Sequence, residues 1–321
     1  MAPEAQSRVV QVEGGRIHLV EQGRGPLVLL VHGFPESWYS WRHQLPAIAG
    51  AGFRAVAVDV RGYGRSSKPT AIDEYRLVRH VADNVGVLDA LGEASAVVVG
   101  HDWGAPIAWT SALLRPDRFR ALAILSVPYA SPSPTRPTDA FRRLGGDEEF
   151  YISYFQEPGR AEAEIEEDVR GWLRGFYISA SGDAPPPTDG TMATVRPGGK
   201  LKDRFATPEQ LPSWLTEADL DFYVGEFERT GFTGPLNRYR CVDLDWRDLA
   251  AFSRQPITVP TLFVGGELDG PTIWGAGAIA RFGETLPQLR GSHILSGSGH
   301  WVQQERAEEV NNLLLDFLGG L

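Results

Sequence analysis

The stretch Ala96-Val97-Val98-Val99-Gly100-His101-Asp102-Trp103-Gly104-Ala105 constrains this chain more than any other. A β-branched run ends in glycine, Asp102 stands at the corner, and a helix-compatible segment runs from Ala105 to Leu114. This reads as strand, sharp turn and helix, with glycines on either side that let neighbouring backbones approach the strained corner. The corner residue is an aspartate rather than a serine. A carboxylate attacks carbon without first losing a proton, whereas a hydroxyl needs a base to activate it. The fold must therefore supply a sheet around this strand, and the chemistry starts from an anion.

Before the corner, Arg8 to Glu21 holds two alternating runs across Gly14-Gly15, which predicts a hairpin. Pro26 to Val31 and Ala55 to Val58 are apolar throughout, as expected of strands covered on both faces. Helical patterns at Trp41 to Ala49 and Arg79 to Leu91 separate them from the corner strand, and Ala121 to Val127 predicts a further strand. This alternation argues for a mostly parallel sheet with helices on both faces, whose ligands bind at the carboxyl ends of the strands. At Ser131-Pro132-Ser133-Pro134-Thr135-Arg136-Pro137 the alternation stops. Helical segments follow at Phe141 to Phe155, Ala161 to Tyr177 and Thr216 to Thr230, with no convincing strand among them and a Gly/Pro-rich stretch, Ser181 to Lys200, expected to be a long mobile loop. Strand character returns at Val259 to Val264 and Gly291 to Leu295, and a last helix spans Ala307 to Leu318. The expected organisation is a core over 1–131 and 258–321 with a mostly helical lid, 132–257, inserted over its catalytic edge.

The 321 residues carry a formal net charge of −10, which disfavours nucleic acid and anionic membrane surfaces as partners. The acidic run from Glu162 to Asp168 is expected to be a solvated helical face. No apolar run approaches the roughly 18–20 residues of a membrane span. Met1 to Arg8 lacks the basic region and apolar stretch of a secretory signal, and a lone cysteine, Cys241, excludes an intramolecular disulfide. A cytoplasmic protein with Cys241 as a small buried side chain is expected, and a homodimer is compatible with the sequence. The seven histidines show no ligand spacing for a metal, and no GxGxxG at a first strand–helix turn points to a dinucleotide, so neither a metal nor another cofactor is expected.

A corner aspartate needs a group that activates water, donors for an oxyanion, and an acid for the leaving group. His300, in Gly297-Ser298-Gly299-His300-Trp301 after the last predicted strand, stands where hydrolases of this chain order carry their base. The carboxylate that orients it is expected in Gly265-Gly266-Glu267-Leu268-Asp269, with Asp269 preferred because it lies beyond the bend and Glu267 as the alternative. Backbone N–H groups of Trp103, at a helix start, and of Phe34, in the loop after the central strand, are the expected oxyanion donors.

Four motifs together resemble the α/β-hydrolase-fold epoxide hydrolases: His32-Gly33-Phe34-Pro35-Glu36-Ser37-Trp38, Gly62-Tyr63-Gly64-Arg65-Ser66, Gly100-His101-Asp102-Trp103-Gly104 and Gly299-His300-Trp301. The lid adds Phe150-Tyr151-Ile152-Ser153-Tyr154-Phe155-Gln156-Glu157-Pro158-Gly159 and Gly231-Phe232-Thr233-Gly234-Pro235-Leu236-Asn237-Arg238-Tyr239, similar to the two segments in which soluble epoxide hydrolases carry tyrosines. The match spans nearly the whole chain. It implies Tyr151 and Tyr239 as the phenols that grip and protonate an epoxide oxygen, with Tyr154 as the rival to Tyr151, and conversion of an epoxide to a 1,2-diol through an ester of Asp102. Phe34, Pro35, Trp38, Trp103 and Trp301 with the two tyrosines predict a pocket for small apolar epoxides. The rivals are a haloalkane or haloacid dehalogenase, with Trp38 or Trp103 as halide donor, and a noncatalytic binding protein of the same fold. An esterase is disfavoured by the missing serine.

Overall fold

The computed structural model describes residues 4–185 and 190–321. Met1, Ala2 and Pro3, the start of the segment expected to lack a secretory signal, and 186–189 within the Gly/Pro-rich stretch lie outside the described residues.

The sheet begins with the hairpin β1 (Gln6–Val12) and β2 (Gly15–Gly23), paired antiparallel with Val12 opposite Gly15. There follow β3 (Leu27–Val31), α1 (Gln44–Gly50), β4 (Arg54–Val58), α2 (Leu77–Leu91), β5 (Ala96–His101), α3 (Gly104–Leu114) and β6 (Phe119–Leu125). The sheet order is β1-β2-β4-β3-β5-β6 and then two late strands, β9 (Thr261–Gly266) and β10 (Leu289–Leu295). From β4 onward all pairings are parallel. Because side chains alternate across a strand, the near-continuous apolar runs feed two cores. Leu29, Val31 and Val98 join α2 and α3 on one face, while Val28, Leu30, Val97 and Val99 join Trp41, Leu45 and Ile48 on the other. There they meet Val310, Leu314 and Phe317 of the terminal helix, Ala307–Gly319.

Two core boundaries differ from the sequence reading for local reasons. Trp41 belongs to a 3₁₀ turn, Trp38–Trp41, whose start is capped by the Ser37 side chain accepting from Tyr39 N, so α1 begins only at Gln44. Ser126 leaves the ladder in a left-handed conformation, φ 71°, so β6 ends at Leu125.

Between β6 and β9 the chain makes one long excursion. It comprises α4 (Pro137–Gly145), β7 (Glu149–Phe150), α5 (Tyr151–Tyr154), α6 (Arg160–Glu167), α7 (Val169–Ser179), β8 (Thr194–Val195), α8 (Glu217–Thr230), α9 (Thr233–Arg240) and α10 (Val242–Asp248). Four expectations for this region need correction. The continuous helices expected at 141–155 and 161–177 are each broken, the second at Asp168, whose carboxylate caps α7 by accepting from Gly171 N at 2.9 Å. Second, β7 and β8 pair antiparallel, a contact between segments about 45 residues apart that two-residue strands cannot signal by alternation. The described part of the Gly/Pro-rich stretch is anchored, with Ala193 and Val195 buried and Tyr151 N donating to Ala193 O at 2.8 Å.

The fourth correction concerns the acidic run, which is a solvated face only in part: Glu166, Glu167 and Asp168 are exposed, but Glu162 and Glu164 are not. Glu162 is buried against Arg240, and Glu164, 2% exposed, sits inside the excursion's own core. The Glu164 carboxylate accepts from the Tyr154 hydroxyl at 2.6 Å, Trp172 Nε1 at 3.0 Å, Leu201 N at 3.0 Å and Lys202 N at 2.8 Å. Four donors compensate one buried anion. Glu164→Leu would leave all four without an acceptor, and we expect denaturant unfolding to register a loss of about 3–5 kcal/mol; a loss below about 1 kcal/mol would show that water replaces the carboxylate.

The rest of the core comprises α11 (Gly270–Trp274), α12 (Ala276–Ile279), α13 (Phe282–Thr285), α14 (Val302–Glu305) and α15, the terminal helix.

Candidate active site

Asp102 follows β5 at φ 51°, a left-handed conformation that is costly for any residue with a side chain. The glycines around it allow the bend. A Cβ on Gly100 would lie 2.1 Å from Gly104 O, and one on Gly104 would lie 1.9 Å from Val31 O. The corner aims the carboxylate at the carboxyl ends of the strands, where Phe34 N, after β3, donates to Asp102 Oδ1 at 2.6 Å. Trp103 opens α3 beside it.

His300 and Asp269 come from the loops after β10 and β9. His300 Nε2 stands 3.5 Å from Asp102 Oδ2, and His300 Nδ1 is 2.9 Å from Asp269 Oδ1. Glu267, the alternative acid, points away: on the exposed surface it accepts from Ser296 Oγ and Gly297 N. Two residues that the sequence did not flag complete this group. Ser126 Oγ donates to Asp269 Oδ2 at 2.7 Å, and Thr272 Oγ1 lies 2.8 Å from the same oxygen. Burial works against the charge on Asp269, but the His300 imidazole and these hydrogen bonds hold its carboxyl below the ordinary value. Burial also disfavours charged His300, yet Asp269 and Asp102 together lift the imidazole well above its usual value. The two carboxyl groups thus favour the charged form of the imidazole between them.

Both lid tyrosines of the sequence reading face this group. Tyr151 and Tyr239 line one cavity of about 680 Å³ with Phe34, Asp102, Asp269 and His300, and their rings lie 6.1 Å apart. Burial, and then the Asp102 charge, raise both phenols above their ordinary value, while a hydrogen bond from the Trp103 side chain opposes this at Tyr239. Both therefore stay protonated across the physiological range. Tyr154 is not part of this wall, since its hydroxyl is committed to Glu164.

The expected aromatic lining is only partly there. Trp38 packs on Tyr39 and Phe222, and Trp301 is buried with Nε1 donating to Tyr177 O. Pro35 O accepts from the Tyr177 hydroxyl, and Trp103 lies between Tyr239 and the Arg238 guanidinium. None of these four lines the cavity. Its outer walls come instead from Phe176, Met192, Leu201 and Phe205 of the lid and from Leu268, Ile273 and Trp274 after β9. Apart from Phe176, which belongs to the helix expected at 161–177, these lie in segments with no periodic signal, one of them the Gly/Pro-rich stretch.

Beneath the site, His101 Nδ1 is 2.8 Å from Glu36 Oε2 and its Nε2 is 2.7 Å from His300 O. Glu36 also accepts from Gly33 N and from the Gln303 and Gln304 side chains. Burial opposes its charge, but His101 above all holds the carboxyl down at about 2. This network ties the Phe34 loop to the His300 loop. Both residues stand inside motifs read from the sequence, where nothing distinguished them from turn residues. Cys241 is buried as expected, its thiol 2.9 Å from Ile72 O.

Among the described residues, no group of three or more His, Cys, Asp or Glu is placed to hold a metal ion, and no helix is long and apolar enough to cross a membrane. The arrangement offers an anionic nucleophile, two protonated phenols, a backbone donor, and an imidazole backed by a second carboxylate.

Residues 26–307 match the model of the alpha/beta hydrolase fold family. The chain is 49% identical to epoxide hydrolase B of Mycobacterium tuberculosis and 40% identical to epoxide hydrolase 1 of Siraitia grosvenorii, covering 98% and 96% of both partners respectively. Among solved structures, it superposes on an epoxide hydrolase from an endophytic Streptomyces with a TM-score of 0.97 and 65% identity, covering 98% of this chain and 96% of that one. Epoxide hydrolase A from Mycobacterium thermoresistibile matches with a TM-score of 0.92 and 45% identity, over 99% of each chain.

Proposed function

Since this chain belongs to the alpha/beta hydrolase fold family and, within it, to the epoxide hydrolases, we propose that it opens its substrate through a covalent ester of Asp102 and closes the cycle with water activated by His300. The observation that carries this reading is the single cavity shared by Asp102, His300, Tyr151 and Tyr239. An epoxide oxygen held between two phenols presents a ring carbon to the carboxylate. As the C–O bond breaks, negative charge develops on that oxygen, and a protonated phenol stabilises and then protonates it. The carboxylate charge that, with burial, keeps the phenols protonated disappears in the same step.

Alkylation removes one of the two carboxylates that lift His300, so the imidazolium gives up its proton to restore the phenolate left by ring opening and is left neutral. Oriented by Asp269, it then takes a proton from water. The hydroxide attacks the ester carbonyl, Phe34 N–H and Trp103 N–H hold the oxyanion, and the diol leaves as its bond to the Asp102 acyl carbon breaks. Ser126 and Thr272 keep Asp269 in register with the imidazole. Residues 132–257 serve as the lid that carries both phenols. Apolar outer walls favour epoxides with uncharged substituents over anionic ones.

A dehalogenase would need indole donors free for a halide. Trp38 packs away from the cavity and the Trp103 side chain is engaged with Tyr239, which supports the epoxide reading. The test is one turnover with enzyme in excess over styrene oxide in isotopically labelled water. Label should appear in the protein, at Asp102, and not in the first diol formed. Label in the first diol and none in the protein would rule out the ester.

The phenols can be tested separately. Tyr151→Phe combined with Tyr239→Phe should slow ester formation at least about 1,000-fold, because no proton donor then meets the alkoxide. Stopped-flow measurement of ester formation reads this directly, and an unchanged rate would return the site to a leaving group that needs no proton.

A further inference from the structure

One half-buried carboxylate outside this scheme touches both the lid and the loop of the base. Glu305, at the end of α14, accepts Gly182 N at 2.9 Å and Gly299 N at 2.8 Å on Oε2, and Trp301 N at 3.0 Å on Oε1. Gly182 lies just beyond α7 and lines the cavity, while Gly299 and Trp301 flank His300 on either side. The two backbones also meet directly. His300 N donates to Ala180 O at 2.8 Å, and Trp301 Nε1 donates to Tyr177 O at 2.8 Å. There is no room for a side chain at the crossing: a Cβ on Gly182 would lie 2.3 Å from Gly297 O, and one on Gly299 would lie 2.2 Å from Gly182 N.

We propose that Glu305 is a positioning residue for the hydrolytic half of the reaction: one carboxylate clamps lid residue Gly182 to the two neighbours of His300, so the imidazole is aimed only while the 180–182 segment is seated. This rests on the ester scheme above. Within that scheme the clamp bears on one step. Asp102 attacks from its own strained corner, fixed by β5 and α3, and uses no contact of Glu305. The later proton transfer from water to His300 depends on where the imidazole sits relative to the ester carbonyl, and a displacement of about 1 Å there costs on the order of 100-fold. Burial raises the Glu305 carboxyl above its ordinary value, with the three N–H groups and the neighbouring His300 pulling against it.

Glu305→Gln keeps the shape but sets an amide N–H₂ against a backbone donor, and Gly182→Ala forces the same contact apart from the lid side. Glu305→Gln should leave the rate of ester formation from styrene oxide within about twofold of the parent, and both variants should slow ester decay about 10- to 100-fold. In Glu305→Gln, kcat and KM should then fall together, leaving kcat/KM unchanged, and the ester should accumulate in intact-protein mass spectra. Glu305→Asp, one methylene short, should fall between the parent and Gln. A purely structural role would lower both rates and kcat/KM alike, and that result overturns the proposal, as does unchanged ester decay in both variants. His300→Gln is the control. If it accumulates no ester, the ester scheme itself has failed; if it does while Glu305→Gln and Gly182→Ala behave as the parent, only the role of Glu305 has failed. Should Glu305→Gln not fold, Gly182→Ala decides.

Discussion

Asp102→Ala is expected to abolish diol formation, a loss of at least about 10,000-fold, because the variant has no group that can form the covalent bond. The variant should remain folded: the corner geometry is set by Gly100, Gly104 and the strand–helix packing, and the hydrogen bond lost is the one from Phe34 N at the cavity wall. Two secondary effects identify the carboxylate as the source of the local field. Without its charge, His300 should titrate closer to an ordinary imidazole, and the Tyr151 and Tyr239 phenols should ionise at lower pH than in the parent. Gas chromatography of styrene oxide hydrolysis checks the first effect, and imidazole NMR and ultraviolet titration check the others. Diol formation within about tenfold of the parent would remove Asp102 from the mechanism.

His300→Gln should split the reaction in two. Carboxylate attack needs no base, so the ester should still form, and intact mass should rise by one substrate per chain. Turnover should fall at least about 1,000-fold because nothing then deprotonates water. In the parent, the same logic fixes the sign of the pH dependence. Hydrolysis of the ester requires neutral imidazole, so its rate falls as pH drops through the His300 pKa of the esterified enzyme. That pKa lies below the raised value of the resting enzyme, because the Asp102 charge and hydrogen bond are gone. Ester formation should lack a matching alkaline loss, since burial and the Asp102 charge keep both phenols protonated. Single-turnover rates across pH test this: an acid limb in ester decay should be present in the parent and absent in His300→Gln. Equal ester decay in the two proteins would exclude His300 as the base.

The legible parts of this protein were those where local sequence and local structure agree. Val97 to Asp102 is a run that only a buried strand satisfies, ending in a bend that glycines permit, and its partners sit at strand ends predicted the same way. Asp269 was separable from Glu267 by its place beyond the turn, and the structure brings it against His300. Ser126 gave no such signal. It owes its place to a left-handed backbone at the end of β6, a conformation that a serine does not advertise. Glu164 misled for the opposite reason: its neighbours read as a solvated helix, and only Tyr154, Trp172 and residues 201–202, brought in by the tertiary fold, turn it into a buried acceptor. The cavity walls failed by type. Tryptophans near motifs were expected to line it, but Trp38 and Trp301 had apolar neighbours of their own, and apart from Phe176 the outer lining fell to chain without periodicity.

The neighbouring positions of β6 and β9 bear on how this protein comes into being. Leu122 pairs with Thr261 across an excursion that carries both lid tyrosines. Closing a loop of about 140 residues costs about 2 kcal/mol more than closing one of ten, a modest thermodynamic burden. Its larger consequence is one of timing on the ribosome. Strands β1 to β6 can assemble with Asp102 already at its corner while β9 and β10 are still unsynthesised, leaving β6 as an open, apolar edge that invites wrong partners. Nascent chains stalled within the excursion should therefore be the aggregation-prone and chaperone-dependent species. Asp269 and His300 arrive only with the last strands, so in the proposed scheme the capacity to release product is the last to be born.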